Sequence, residues 1–118
     1  MAAGSIALEP EILDVNGVRL NPQTRQVICN GMPVDLTSIE YEILETLVRS
    51  AGRVVLREHL ARILRDRHAK PFEHALDPHV SELRRKLERG RHLIRTVPGV
   101  GYVFAAADEN APSGYQLA

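Results

Sequence analysis

The spacing of hydrophobic and polar residues changes character twice along the chain. From residue 12 to 36, apolar and polar residues run in short stretches broken by Asn16-Gly17 and Asn30-Gly31. Both dipeptides favour tight hairpin turns, so "ILDVNGVRLNP" and "RQVICNGMPVDL" predict a small antiparallel meander. In "LTSIEYEILETLVRSAG", Ile39, Ile43, Leu44, Leu47 and Val48 recur at helical spacing. Thr37 is the N-cap there, Glu40 completes a capping box, and Gly52 marks the end. "REHLARILRD" predicts a shorter second helix with Leu60, Ile63 and Leu64 inward. Leu56 precedes it and cannot cap, so a frayed first turn is expected. "RDRHAKPF" is polar, ends in Pro71-Phe72 and reads as a connecting loop. A third helix follows, from about Phe72 to Glu88, with Leu76, Val80, Leu83 and Leu87 within roughly 60° of one another. Pro78 must fall in its first turn, and Asp77 is the candidate cap, which allows a start later than Phe72. Gly90 stops it. "HLIRTVPGVGYVFAA" alternates, breaks at "PGVG" and resumes, predicting a C-terminal hairpin whose glycines permit positive φ at the tip. Residues 1–10 are expected to be a flexible lead-in, 11–106 one domain, and 107–118 a disordered tail.

Composition adds limits. The 118 residues are 44% hydrophobic and 25% charged, enough for one domain with a real core. No apolar run has transmembrane length, and the N-terminus lacks a basic region followed by an apolar stretch, so a cytoplasmic site is expected and no membrane association. The single Cys29 excludes an internal disulfide and a thiolate pair for zinc.

The formal net charge is zero, but it is unevenly spread. Residues 1–46 carry two basic against seven acidic side chains, and residues 47–118 carry thirteen against eight. Within 79–95, Arg84, Arg85, Lys86, Arg89, Arg91 and Arg95 face only Glu82 and Glu88, with His79 and His92 beside them. Screening acts over roughly 8 Å at physiological salt, so this local excess governs docking of a polyanion more than the distant acidic half does.

The face of the third helix opposite its leucines displays Pro78, Ser81, Glu82, Arg85 and Arg89, flanked by His79 and Arg84. Arg offers a fork to guanine or phosphate, and Glu accepts from cytosine N4. The bland alternative is a solvated charged face, with Glu82 paired to Lys86 one turn on. The neighbouring hairpin weighs against it. Arg91 and Arg95 lie just beyond the helix, so helix and hairpin offer two grips, one per groove, which is the logic of a winged helix-turn-helix.

"LTSIEYEILETLVRSAGRVVLREHLARIL", "DPHVSELRRKLE" and "IRTVPGVGYVF" together resemble the C-terminal effector domain of OmpR/PhoB-type two-component response regulators. The likeness runs from about Leu13 to Phe104, and "KPFEHALDPHVSELRRKL" is most similar to the CpxR-like branch. It implies an α+β winged helix-turn-helix with an antiparallel four-stranded N-terminal sheet, three helices and a C-terminal β-hairpin wing. Leu76 to Glu88 becomes the recognition helix in the major groove, with the wing in the minor groove. His79, Ser81 and Arg84 match phosphate- or base-contacting positions, Glu82 and Arg85 groove-facing ones, and Thr96 and Tyr102 wing contacts. The loop Asp66 to Pro71, with Asp66, Arg67, His68 and Lys70, matches the segment that meets RNA polymerase. The implied partners are promoter DNA carrying direct repeats and a second copy bound head to tail. Pro98 stands where the wing often carries Arg, and Pro78 where a β-branched residue is usual. The phosphoacceptor receiver domain has no counterpart in these residues. An excised effector domain, with a receiver domain as a further partner, and a free-standing regulator both remain open.

Other chemistry finds no support. The five histidines form no HExxH and no i, i+4 pair with a third ligand, so no metal and no cofactor are expected. "PGVG" is too short for a phosphate loop and precedes no helix. No Ser-His-Asp spacing suggests an enzyme. The competing function is a winged-helix module that docks protein. It would need exposed apolar anchors beside the basic face, and the sequence shows none.

Overall fold

The computed structural model describes residues 11–67, 76–89 and 91–107. The two Asn-Gly dipeptides make the turns expected of them: Asn16 and Gly17 have φ of 52° and 83°, Asn30 and Gly31 of 50° and 82°. Positive φ at both central residues is the geometry whose twist matches a hairpin. These turns join β1 (Leu13–Val15) to β2 (Val18–Asn21), and β3 (Gln26–Cys29) to β4 (Met32–Val34), in an antiparallel sheet ordered β1-β2-β3-β4. Between β2 and β3, the Asn21 side-chain oxygen accepts from the Gln23 and Thr24 amides, and Arg25 closes the turn with φ of 63°. Val18, Leu20, Val27 and Cys29 form the buried face.

Helix α1 (Ser38–Arg49) opens on the predicted capping box. Thr37 Oγ1 accepts from the Glu40 amide at 3.1 Å, and Glu40 Oε1 accepts from the Thr37 amide at 3.0 Å. The helix ends at Arg49, before Gly52. Gly52, at φ of 86°, turns the chain onward, and its amide donates to the Phe104 carbonyl at 2.9 Å.

A strand absent from the sequence reading follows, β5 (Val54–Leu56). Three apolar residues are too few to show a period. Helix α2 (Arg57–Arg67) begins at once. Its uncapped start is supported from outside, because the Arg57 amide donates to the Val100 carbonyl at 3.0 Å. Leu60 and Leu64 are buried and Ile63 only half so. Asp66, shared by the predicted second helix and the predicted loop, and Arg67, expected in the loop alone, both lie in the last turn of α2; "RDR" is polar, but nothing in it breaks a helix. His68, Lys70 and Phe72 lie outside the described residues, as do residues 1–10 of the lead-in and 108–118 of the tail.

Helix α3 (Asp77–Leu87) carries Pro78 in its first turn, where a missing amide costs nothing. Asp77 is not its cap but its first residue. Leu76 holds the cap position with helical backbone angles, and its carbonyl accepts from the Val80 amide. The chain ends in β6 (Ile94–Val97) and β7 (Gly101–Phe104). With β5 they form a three-stranded sheet ordered β5-β7-β6. Gly99 does take positive φ, 73°, at the hairpin tip. Gly101 serves differently: a Cβ there would collide with the Val55 carbonyl, so glycine is what lets β5 pair closely. One core joins the layers, with Leu20, Ile43, Leu44, Leu47, Leu60, Leu64, Leu83, Leu87, Tyr102 and Phe104 fully buried.

Candidate nucleic-acid interface

The leucine face of α3 turns inward as its spacing requires: Leu76, Val80, Leu83 and Leu87 are all buried. That leaves Pro78, Ser81, Arg85 and Arg89 exposed, with His79, Glu82 and Arg84 partly so. Glu82 pairs with Arg85 rather than Lys86; Arg85 Nε donates to Glu82 Oε2 at 2.6 Å. The guanidinium holds the exposed Glu82 carboxyl below its ordinary range. Lys86 reaches the other way, its Nζ 2.7 Å from Glu40 Oε1 on α1. Glu40 is only 3% exposed, so a charge on the sequence's basic helix in fact binds the capping box of its neighbour.

Arg84 joins α3 to the wing. Its Nε donates to the Ile94 carbonyl at 3.1 Å and its Nη2 to Thr96 Oγ1 at 2.5 Å. The two grips are thereby fixed relative to each other. Beneath the bridge lies an open cleft of about 470 Å³ lined by Arg57, Asp77, Val80, Ser81, Arg84, Thr96, Pro98, Gly99 and Tyr102. Ser81, Arg84 and Thr96 therefore converge. Arg95, exposed and adjacent to Thr96 in the strand, projects from the opposite face of the sheet, since neighbours along a strand alternate.

Tyr102, expected as a wing contact, is 1% exposed and part of the core. Its hydroxyl alone reaches the cleft, donating to Asp77 Oδ1 and accepting from Arg57 Nη1 at 3.1 Å. Arg57 Nη2 donates to the same Asp77 oxygen at 3.0 Å. The tyrosine hydroxyl, then the guanidinium, hold the Asp77 carboxyl below its usual range, while burial and that carboxylate raise the Tyr102 phenol. Arg57 was missed in the sequence. A signal was present, because a cation at a helix N-terminus opposes the helix dipole and needs another partner.

Arg91, expected at DNA, has internal partners. Its Nη2 donates to the carbonyl and side-chain oxygens of Asn16 at 2.6 and 2.7 Å, and its Nη1 to Asn30 Oδ1 at 3.2 Å. It clasps the two Asn-Gly turns. Glu88 stiffens the same connection by accepting from the Leu93 and Ile94 amides at 2.9 and 2.7 Å. Arg67, expected to meet RNA polymerase, donates to Glu42 Oε1 at 2.9 Å; Arg25 holds the other oxygen at 2.7 Å.

Apolar anchors, which the sequence did not reveal, are present on the wing sheet. Val54, Leu56 and Val100 are 44%, 55% and 42% exposed. Pairing of Val54 with Val103 and of Leu56 with Gly101 places both on the sheet face that carries Arg95. Among the described residues no cluster of side chains could hold a metal, and no helix is long and apolar enough to cross a membrane.

Residues 31–104 match the family described as "Transcriptional regulatory protein, C terminal". The transcriptional regulatory protein CpxR of Klebsiella pneumoniae is 38% identical over 98 residues, covering 80% of this chain and 42% of that protein. The response regulator protein PmrA of Pseudomonas aeruginosa is 40% identical over 95 residues, covering 80% of this chain and 41% of that protein. The chain thus spans about two-fifths of the length of these relatives. Among solved structures, the DNA-binding domain of CpxR from E. coli superposes with a TM-score of 0.68 at 35% identity, covering 83% of this chain and 97% of that one. The RstA DNA-binding domain of Klebsiella pneumoniae, in complex with its RstA box, gives 0.68 at 26% identity, covering 81% and 98%. The match over most of the chain, on a winged fold whose recognition helix is braced against its wing, makes this chain a member of the family of C-terminal DNA-binding effector domains of OmpR/PhoB-type response regulators.

Proposed function

We propose that the chain recognises a specific sequence in promoter DNA, with α3 in the major groove and the β6–β7 wing at the adjacent minor groove. The observation that carries this reading is the Arg84 bridge to Thr96, which sets the exposed Ser81 and Arg85 and the partly exposed Glu82 beside the wing as one unit. Phosphate contacts fix the register of such a unit, and base edges give it sequence preference. His79, Ser81, Arg84, Arg89 and Thr96 suit the first role, and Glu82 and Arg85 the second. RNA polymerase is the partner proposed for the end of α2, through Asp66, and a receiver domain the regulatory partner in a longer protein; the cytoplasm is the site of action.

A second copy bound head to tail on direct repeats follows from two surfaces of unlike character. The outer wing face offers Val54 and Leu56 with Arg95, and Val100 is exposed at the hairpin tip, while the N-terminal sheet, whose Asp14 pairs with Arg19, exposes Met32, with Ile12 just before β1. A heterologous contact of this kind extends along DNA rather than closing on itself. The same apolar face is the specific support for the protein-docking alternative.

Titration of duplex binding with salt tests the main reading. If helix and wing neutralise around five phosphates per monomer, log K falls against log salt with a slope of about −4 to −5. Intact binding with a slope near zero favours the docking alternative.

A further inference from the structure

Resting on the DNA-binding reading, we propose that the cleft between α2, α3 and the wing is a backbone-phosphate site that the protein holds closed with its own carboxylate. Asp77 occupies, in the free protein, the donors that a phosphodiester oxygen takes when duplex DNA docks.

The polar lining of the cleft is almost entirely donor in character. Arg57 and Arg84 supply guanidinium groups, and Ser81, Thr96 and Tyr102 supply hydroxyls. Asp77 is the one acid among the lining residues. Its carboxylate does what a phosphate oxygen would do there, accepting from a guanidinium and a phenol at once. It is not needed there as a buried charge, since its side chain is 62% exposed, at the mouth of the cleft. Arg57 would stay in place if Asp77 let go. Its guanidinium lies 5.5 Å from the Tyr102 ring centroid and also donates to the Tyr102 hydroxyl. Arg84 is already fixed against Ile94 and Thr96. A phosphate arriving at the N-terminus of α3 also meets the favourable end of that helix dipole. Docking is then an exchange in which Arg57 passes from an internal anion to an external one, and the internal anion opposes binding to any duplex regardless of sequence.

An exposed ion pair is weak, so the closure is shallow. Asp77→Asn keeps an oxygen for Tyr102 and Arg57 but removes the charge. Fluorescence anisotropy on a short labelled duplex of random sequence should show it binding about two- to fivefold tighter, the size expected of releasing one exposed pair. The salt slope should stay near that of the unaltered protein, since Arg57 meets the phosphate in both. Loss of a negative charge anywhere near DNA also tightens binding, so Arg57→Gln supplies the second arm. In that background the Asp77→Asn gain should vanish, because its beneficiary is gone. Asp77→Glu, which keeps the charge, should give no gain. Melting curves establish that each variant is folded, and Asp77→Ser replaces Asp77→Asn if the latter is not. An equal gain with and without Arg57, a gain in Asp77→Glu, or weaker binding by Asp77→Asn would each overturn the closure while leaving DNA binding standing. Failure of the unaltered protein to bind duplex at all would overturn both.

Discussion

Replacing Arg91 by alanine is expected to weaken the fold and leave DNA affinity nearly unchanged, the reverse of what its place in a basic segment suggests. The guanidinium donates to the Asn16 carbonyl, to Asn16 Oδ1 and to Asn30 Oδ1. Asn16 in turn donates from Nδ2 to the Ala105 carbonyl at 3.0 Å, so the clasp ties both N-terminal turns to the end of β7. A typical net hydrogen bond contributes about 1 kcal/mol, but these sites are partly open and water replaces some of what is lost. The three together should therefore be worth about 1–2 kcal/mol. Urea unfolding followed by circular dichroism should show a lower midpoint with an unchanged m-value, because no surface burial depends on the side chain's charge. Each kcal/mol should lower Tm by about 4–8 °C in a domain of this size. Anisotropy on random duplex, well below the new Tm, should give an affinity close to that of the unaltered protein. An unchanged midpoint with affinity lowered equally on all sequences, and a salt slope shallower by about 0.9, would refute the clasp and restore Arg91 as a phosphate contact.

Two further substitutions probe single groups. Glu82→Ala should bind random duplex slightly tighter and, on a panel of single-base-pair operator variants, relax preference at one position by about 1–3 kcal/mol; a uniform gain at every position would reduce Glu82 to a partner of Arg85. Tyr41→Phe should be neutral or stabilising by up to about 1 kcal/mol, since the Tyr41 hydroxyl is buried without a hydrogen-bond partner among the described residues, and burial pushes its phenol up to about 12. The ring keeps its place under the Arg25 guanidinium, 4.6 Å from its centroid, and a clear loss of stability would reveal a partner for the hydroxyl.

Local signals were legible where one residue type has one physical use. The Asn-Gly turns, the Thr37–Glu40 capping box and the four-residue apolar face of α3 could each be read from spacing, and each is found. β5 could not be read in that way, because its three residues become a strand only by pairing with β7, which lies some forty-five residues on. The end of α2 lies one residue beyond the predicted "REHLARILRD", because "RDR" is polar but holds no helix breaker. Charge was the least legible quantity. A lysine or arginine looks the same in sequence whether it faces solvent or a partner fixed by the tertiary fold. Lys86 finds Glu40, Arg67 finds Glu42 and Arg91 finds the asparagine turns, all across long separations in the chain. The apolar outer face of the wing escaped notice for the same reason, since Leu56 and Val100 come together only once β5 joins the hairpin.

On the proposed reading, these internal pairings change which cations face DNA. Of the six lysines and arginines within residues 79–95, Lys86 and Arg91 are committed to the fold. Arg84, Arg85, Arg89 and Arg95 are the cations of this segment proposed to face DNA from α3 and the wing. Arg57, from outside the basic segment, enters at the cleft beside Arg84. The proposed set then numbers five, in keeping with the expected salt slope of about −4 to −5. Arg85 shares its charge with the Glu82 carboxylate, and Arg57 with that of Asp77. A neutral chain can thus carry a DNA-binding face whose hold on phosphate is moderated at the surface itself. On the proposed reading its grip on random DNA is weaker than the same cations would give without those carboxylates, and contacts to base edges then account for more of the difference between the right site and all others.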